Sequence, residues 1–447
     1  MTTPVWTWLP GSTEPVLAAH LEVHASQGRF CYEQSHIDTP NARTLDPIQL
    51  RFSRKSSGMA VLKDGGLPGV VGDAMPAGYG ADRLHARHDR QLTPLELLEL
   101  GPPDGVGAIE VCHDIARKLA WQPHTLDELR AHIQELEDTA PASRAIRRMQ
   151  DDDTTSAGGE RPKLTLQHQG KLWLAKLQDR GDAPHLPARE FAVMHMAAEL
   201  GLQVPEVRFE MHAGREVFLV ERFDRAGNPL RPQRHLFASA HTVLGLDSRT
   251  LPGDARRSYL VLADHMRRWI SDEAACQQDL HELWRRMAYN ALVGNRDDHP
   301  RNHGLLHDGT GWRLSKAFDI TPLPTFTGLL AMNVSADGSQ ICSAHSLLSS
   351  APHFGMSLRD ASTWLGNAAV HVAQQWEPQL RDLGVPAAHT AQFEPAFVLA
   401  TELTKEPEAL DEALTTIGSC QAICRQNRSA QRGFLGIGAG SGVSGLR

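Results

Sequence analysis

The residues best able to do chemistry lie together in the stretch Asn290 to His303, N-A-L-V-G-N-R-D-D-H-P-R-N-H. Asp297, Asp298, His299, Arg301, Asn302 and His303 fall within seven positions, between an apolar helical pattern upstream and apolar Leu305-Leu306 downstream. The spacing Asp297-x4-Asn302 suits phosphoryl transfer: a carboxylate can accept a hydroxyl proton, and an amide oxygen five residues on can hold a magnesium ion. Such chemistry needs a further carboxylate on the metal, and Asp319 supplies one. It ends the apolar run Ala317-Phe318 after the strand-like Trp312 to Leu314, as the aspartate of a D-F-G motif would, although no glycine follows it. Taken singly, each match is as readily a solvated turn. Their order along the chain favours chemistry.

These residues must be positioned by the elements around them. Leu280, Leu283, Trp284, Met287, Ala291 and Leu292 recur at helical spacing and predict a buried helix that stops at Gly294-Asn295. Further upstream, Leu164 to Gln167 and Lys171 to Gln178 predict a hairpin turning at Gln169-Gly170. Alternation then puts Lys176 on the same face as Leu172 and Leu174, where a lysine is either a snorkelling edge residue or a phosphate ligand. Glu190 opens a predicted helix from Phe191 to Leu200. It is either a favourable charge at a helix N-terminus or the carboxylate partner of Lys176. Just before the hairpin, Ser156-Ala157-Gly158-Gly159-Glu160-Arg161-Pro162-Lys163 offers two glycines for close backbone approach and a lysine to neutralise phosphate. It is not a Walker A sequence, and a flexible turn is the plainer reading of it.

Two capping boxes, at Thr93 to Glu96 and Thr125 to Glu128, open helices within the first 140 residues. The alternating Val5 to Leu9 and Gly28 to Tyr32 indicate a small sheet there. Strands are predicted at Val204 to Glu210 and Val217 to Arg222. Helices are predicted around Ser258 to Ile270, Ser357 to Leu383 and Phe393 to Ile423. The fold class expected is α+β: a bilobal protein-kinase-like fold with a β-rich small lobe and a helical large lobe, preceded by a small α+β N-terminal domain. The boundaries expected are 1–140, 141–230 for the small lobe and 231–432 for the large lobe, with 433–447 as a disordered Gly/Ser-rich tail.

The 447 residues are 41% hydrophobic and 22% charged, ordinary for a globular protein of several domains. No run reaches the length of a membrane span, and Met1 to Pro15 lacks the pattern of a signal peptide, so a cytoplasmic protein is expected. Cysteines 31, 112, 276, 342, 420 and 424 form no paired framework and indicate neither a disulfide scaffold nor a zinc ribbon. A net charge of −8 argues against a large nucleic-acid footprint of the chain's own.

Taken together, the chain resembles the HipA family, serine/threonine kinase toxins of type II toxin–antitoxin systems. The resemblance runs through Pro4-Val5-Trp6, Gly72-Asp73-Ala74-Met75-Pro76, Gly105-Val106-Gly107-Ala108, the Ser156 to Lys163 loop, Lys176, Glu221-Arg222-Phe223-Asp224, Asn295-x-Asp297-x-His299-x2-Asn302 and Phe318-Asp319. Arg301 and Phe318 stand where the family often has lysine and tyrosine. The resemblance implies that Asp297 is the catalytic base and that Asn302 and Asp319 bind magnesium. It also implies that ATP is held by residues 157–163, Lys176, the backbone of Glu221, Arg222 and Phe223, His299 and Phe318, and that the Thr154-Thr155-Ser156 run is autophosphorylated, with Ser156 the first choice and Thr154 and Thr155 the alternatives. The implied partners are a protein substrate such as an aminoacyl-tRNA synthetase and a small helix-turn-helix antitoxin, through which alone DNA is bound. A small-molecule phosphotransferase and a non-catalytic partner of a DNA-binding antitoxin are the competing readings. A metallohydrolase using His299 and His303 is disfavoured by Pro300 between them.

Overall fold

The computed structural model describes residues 2–24, 27–53, 60–62, 66–150, 160–247, 249–325 and 327–419. Thr154, Thr155, Ser156, Ala157, Gly158 and Gly159 in and beside the expected phosphate loop, Cys420, Cys424 and the tail 433–447 lie outside the described residues.

An antiparallel five-stranded sheet builds the N-terminal domain, in the order Ala60–Leu62, Gln27–Tyr32, Pro15–His24, Thr2–Trp8, Ile109–Val111. Alternation in Thr2–Trp8 turns Thr3, Val5 and Thr7 inward, and the Thr7 hydroxyl is satisfied by donating to Ala108 O at 2.8 Å. The strand Pro15–His24 was not anticipated, because its apolar residues come in runs rather than alternating with polar ones. Both capping boxes form, at the starts of the helices Pro94–Leu100 and Leu126–Gln134.

A second five-stranded sheet, ordered His124–Thr125, Lys163–His168, Lys171–Leu177, Arg215–Glu221, Val207–His212, forms the small lobe. Its hairpin turns at Gln169 and Gly170, both at positive φ (49° and 74°), the conformation that lets a two-residue loop follow the twist of the strands. One face is covered by the helices Leu126–Gln134 and Ser143–Met149. Leu126, Leu129, Ile133, Ala145, Ile146 and Met149 share a core there with Leu164, Leu166, Trp173, Ala175 and Val217. The boundary expected at residue 140 therefore falls between two helices that bury against one sheet, and by packing the small lobe begins near His124. A capping box marks where a helix starts and carries no information about which core its apolar face joins.

The helix Leu186–Glu199 covers the other face and begins one turn earlier than expected, with Pro187 in its first turn. The large lobe holds a three-stranded antiparallel sheet of Leu236–Ser239, Gly304–His307 and Trp312–Leu314, and the helices Tyr259–Trp269, Glu273–Leu292 and Leu358–Asp382. The helical stretch expected from Phe393 to Ile423 is broken into a 3-10 turn Ala391–Phe397, a helix Val398–Lys405 and a further helix at 408–419. The break falls at Pro407, whose missing N–H cannot continue the ladder.

Candidate active site

The small-lobe sheet sets two lysines face to face. Lys163 and Lys176 are directly opposite in the hairpin register, an arrangement that repels unless an anion lies between them. Two carboxylates resolve it. Lys176 Nζ bridges Glu190 Oε1, on the helix Leu186–Glu199, and Asp319 Oδ1, while Lys163 Nζ lies 3.6 Å from Asp319 Oδ2. Glu190 is thus an interior helix residue, almost fully buried, rather than a helix-opening charge.

Asp319 is reached by a segment clasped on both sides. Before it, Ala317 N donates to Gln203 O at 2.8 Å, and the buried Arg286 guanidinium binds Ser315 O at 2.7 Å and Gln203 O at 3.2 Å. After it, Arg189, 1% exposed and stacked over the Phe393 ring at 4.4 Å, donates to Pro322 O at 3.0 Å. Between these clasps Asp319 itself takes φ +55°, a left-handed conformation that aspartate tolerates better than most residues.

The loop with the second carboxylate leaves the helix Glu273–Leu292 through Gly294 at φ +61°, where an added Cβ would come within 2.6 Å of the Ala396 backbone. Glycine is required there twice over, by conformation and by space. Asp297 presents its side chain to solvent, 61% exposed, with the His299 ring 3.7 Å away. His299 caps the 3-10 turn Pro300–Asn302 by accepting the Arg301 amide at 3.3 Å. Asn302 folds back and donates its Nδ2–H to Asp297 O at 2.7 Å. Asp298 points the other way, into the lobe.

Although the Asp297 side chain is open to solvent, partial desolvation by the protein around it pushes its carboxyl up, His299 draws it back and the charge of Asp319 pushes it further, so the two aspartates sense each other across the site. Burial alone would also raise Asp319, but Lys163 and Lys176 hold it far below the carboxylate range and therefore ionised. Lys176, despite its burial, is held above the ordinary lysine value by Asp319 and Glu190, whereas burial pulls Lys163 down. Glu190 is pushed up by burial. Among the described residues no three His, Cys, Asp or Glu side chains converge on a metal-sized site. Asp319 and the amide oxygen of Asn302 are nevertheless hard oxygen donors of the kind magnesium takes in ones and twos, its other positions going to phosphate and water.

The other expected residues are distributed as follows. Phe318 packs on Phe223 with ring centroids 5.4 Å apart, and Phe237 joins both, so Phe223 and Phe318 share one aromatic cluster next to Asp319. Glu221, at the end of the strand Arg215–Glu221, pairs with Lys171 at 3.1 Å. The Arg222 side chain turns away from that cluster, into a buried pair with Asp224 at 2.9 Å. Arg161 pairs with Asp182 at 2.6 Å and contributes to the field at Asp297, Pro162 is buried, and Glu160 is exposed. His303 lies buried beneath the loop, apart from the more exposed His299. Sequence reasoning missed Arg189 and Arg286, and it placed Asp298 in a polar loop rather than in the interior. The signal available for the first two was an arginine inside an apolar helical pattern, where a charge must find carbonyl or carboxylate partners.

Residues 155–376 match the family model described as the HipA-like C-terminal domain. A Sinorhizobium fredii protein, Y4mE, whose name carries the word kinase, is 27% identical over 158 residues, which is 34% of this chain and 36% of that relative's length. The chain thus spans little more than a third of the curated relative it matches. Among solved structures, HipA of Shewanella oneidensis MR-1, described as part of a toxin–antitoxin system in complex with HipB and operator DNA, superposes with a TM-score of 0.61. The two share 16% identity over 91% of this chain and 99% of that one, a likeness of fold.

Proposed function

The chain belongs to the HipA-like family through its domain at residues 155–376 and has the bilobal kinase-like fold, and from that premise we propose that it is an ATP- and magnesium-dependent serine/threonine protein kinase, the toxin of a toxin–antitoxin pair. One observation carries the reading. Lys163, Lys176, Glu190 and Asp319, drawn from two strands, a helix and the segment after Phe318, form one ion network within electrostatic reach of Asp297.

In this reading Asp297 accepts the proton of the acceptor hydroxyl as its oxygen bonds to the γ-phosphorus of ATP. The bond from that phosphorus to the β–γ bridging oxygen breaks, and ADP leaves. Lys176 and Lys163 neutralise the phosphates, with Glu190 fixing Lys176 from behind. Asp319 and Asn302 would hold magnesium, which would supply charge neutralisation of the transferring group. Residues 157–163, the backbone of Glu221 to Phe223, His299 and Phe318 complete the ATP site.

Ser156 is the proposed autophosphorylation site, because a phosphate adds about −1.5 to −2 charge and would compete with ATP for Lys163 and Arg161. The proposed protein substrate is a translation component such as an aminoacyl-tRNA synthetase. The proposed partner is a small helix-turn-helix antitoxin that brings the acidic chain to DNA, and the setting is the cytoplasm.

The test is transfer of γ-labelled phosphate from ATP with magnesium, comparing the parent with Asp297→Asn. Label should appear on protein with the parent, including on peptides covering residues 150–165, and should be lost in the variant, which keeps side-chain size but cannot take the proton. Equal labelling by the variant, or label on a metabolite alone, would sink the assignment.

A further inference from the structure

Beside the exposed Asp297, its neighbour makes the more extensive set of contacts. Asp298 has no exposed surface. Its Oδ1 accepts the Ala331 amide at 2.5 Å and its Oδ2 accepts the Tyr259 hydroxyl at 2.8 Å. That hydroxyl accepts from Asn290 Nδ2 at 3.0 Å, and Asn290 Oδ1 accepts from Asn295 Nδ2 at 3.1 Å, so the network runs back to the end of the helix that launches the loop. His303 closes it from the far side of the loop, its Nε2 lying 3.3 Å from both the Tyr259 hydroxyl and Asp298 O.

Ala331 belongs to a segment, 328–342, that folds back on itself. Cys342 N donates to Gly328 O at 2.8 Å, Leu330 N to Gln340 O at 3.1 Å and Val334 N to Ser339 O at 2.8 Å. Asn333 ties it to the start of the helix Tyr259–Trp269, accepting from Tyr259 N at 3.1 Å and donating to Arg257 O at 2.8 Å. Asp298 is therefore the side chain through which the loop carrying Asp297 grips both this segment and that helix.

We propose that Asp298 is a positioning residue for phosphoryl transfer: it locks the Asp297 loop to segment 328–342, so that the base keeps one placement over the site although its own side chain stands in solvent. The inference rests on the kinase reading. It separates from that reading because the lock acts first on the placement of Asp297, while Lys163, Lys176 and Asp319 lie on other elements and only His299 and Asn302 of the locked loop face the nucleotide and metal.

The test uses the full chain, with Asp298→Ala and Asp298→Asn. Affinity is read with a fluorescent ATP analogue and magnesium, transfer with labelled ATP and myelin basic protein, and local order by amide hydrogen exchange. Asp298→Ala should lower the transfer rate constant by about 100-fold, the size expected for a small misplacement of a reacting group, with nucleotide affinity falling by less than about 10-fold, because of the loop only His299 and Asn302 meet nucleotide or metal. Exchange should rise at residues 328–342 and not across the small-lobe sheet. Asp298→Asn keeps one acceptor oxygen and should recover much of the rate. Transfer by Asp298→Ala at the parent rate would overturn the proposal. So would loss of transfer, nucleotide affinity and cooperative melting together with no recovery in Asp298→Asn, the mark of a purely structural residue. Failure of the parent to transfer label would count against the kinase reading and the positioning role together, whereas unchanged exchange at 328–342 in an active parent's Asp298→Ala variant would remove the lock alone.

Discussion

Asp319 combines two demands that rarely coincide in one residue. Its backbone is left-handed at φ +55°, and its carboxylate is held ionised between two lysines. Asparagine is the substitution that separates them, since it tolerates the left-handed region and keeps the volume while losing the charge. Asp319→Asn should therefore keep its fold but melt below the parent, because Glu190 alone is left to neutralise the facing Lys163 and Lys176, and it should bind ATP with an affinity that magnesium no longer improves. Titrating nucleotide with and without magnesium checks this, and magnesium enhancement equal to the parent's would show that Asp319 is no ligand. Asp319→Ala is the poorer variant, because strain of about 1–3 kcal/mol accompanies a left-handed residue without a compensating side chain.

The turn from Asn295 to His303 shows how much of this site could be read from residue order. The spacing of Asp297 and Asn302, the stop at Gly294 and the strand lysine are local signals, each set by a short-range constraint of helix, turn or alternation. Asp298 was legible as a charge but not as a buried one, because only the fold brings Tyr259 and Ala331 to it from 39 and 33 residues away. Glu190 was seen and placed at the wrong point of its helix, since Pro187 rather than the charge sets the start.

Burial gives this turn opposing pH responses. It pushes the Asp298 carboxyl up from 3.8 to about 7, so that its contribution to stability is present at low pH and fades as pH rises towards 7. It pushes His303 down from 6.5 to about 3, so that the histidine's contribution is present above 6.5 and is lost as pH falls. Between the carboxylate range and pH 6.5 the two slopes oppose each other. Asp298→Asn removes the first and leaves the second, so its stability should fall more steeply than the parent's between about pH 7 and about pH 5. Urea melts of both proteins at the two pH values decide it, and parallel losses would show that the slopes do not reside in these groups.

At the scale of the molecule, the N-terminal domain is riveted to the small lobe through Glu221-Arg222-Phe223-Asp224. Asp224 accepts the Gly107 amide at 2.8 Å and pairs with Arg222 at 2.9 Å and Arg225 at 2.7 Å, all nearly fully buried. The arginines hold it far below the carboxylate range. Removing it in Asp224→Ala leaves two buried guanidinium groups without their counter-charge and should cost about 3–5 kcal/mol. Chemical denaturation would register the loss, and a cost below about 1 kcal/mol would mean that the pair is solvated in practice. What the two arginines read on the N-terminal side is main chain: Arg222 donates to Asp104 O at 2.6 Å and Gly105 O at 3.1 Å, and Arg225 to Gly105 O at 2.7 Å and Gly107 O at 2.8 Å. Recognition through carbonyl oxygens asks little of side chains, but two residues of the stretch are specified otherwise: buried Asp104 accepts the Thr165 hydroxyl at 3.1 Å, and Gly107 sits at φ +88° with Phe237 3.2 Å from any added Cβ. Over evolutionary time the N-terminal domain can thus change its outward chemistry, and with it whatever it meets, while the joint to the kinase-like body persists so long as Asp104, Gly107 and the path between them are kept.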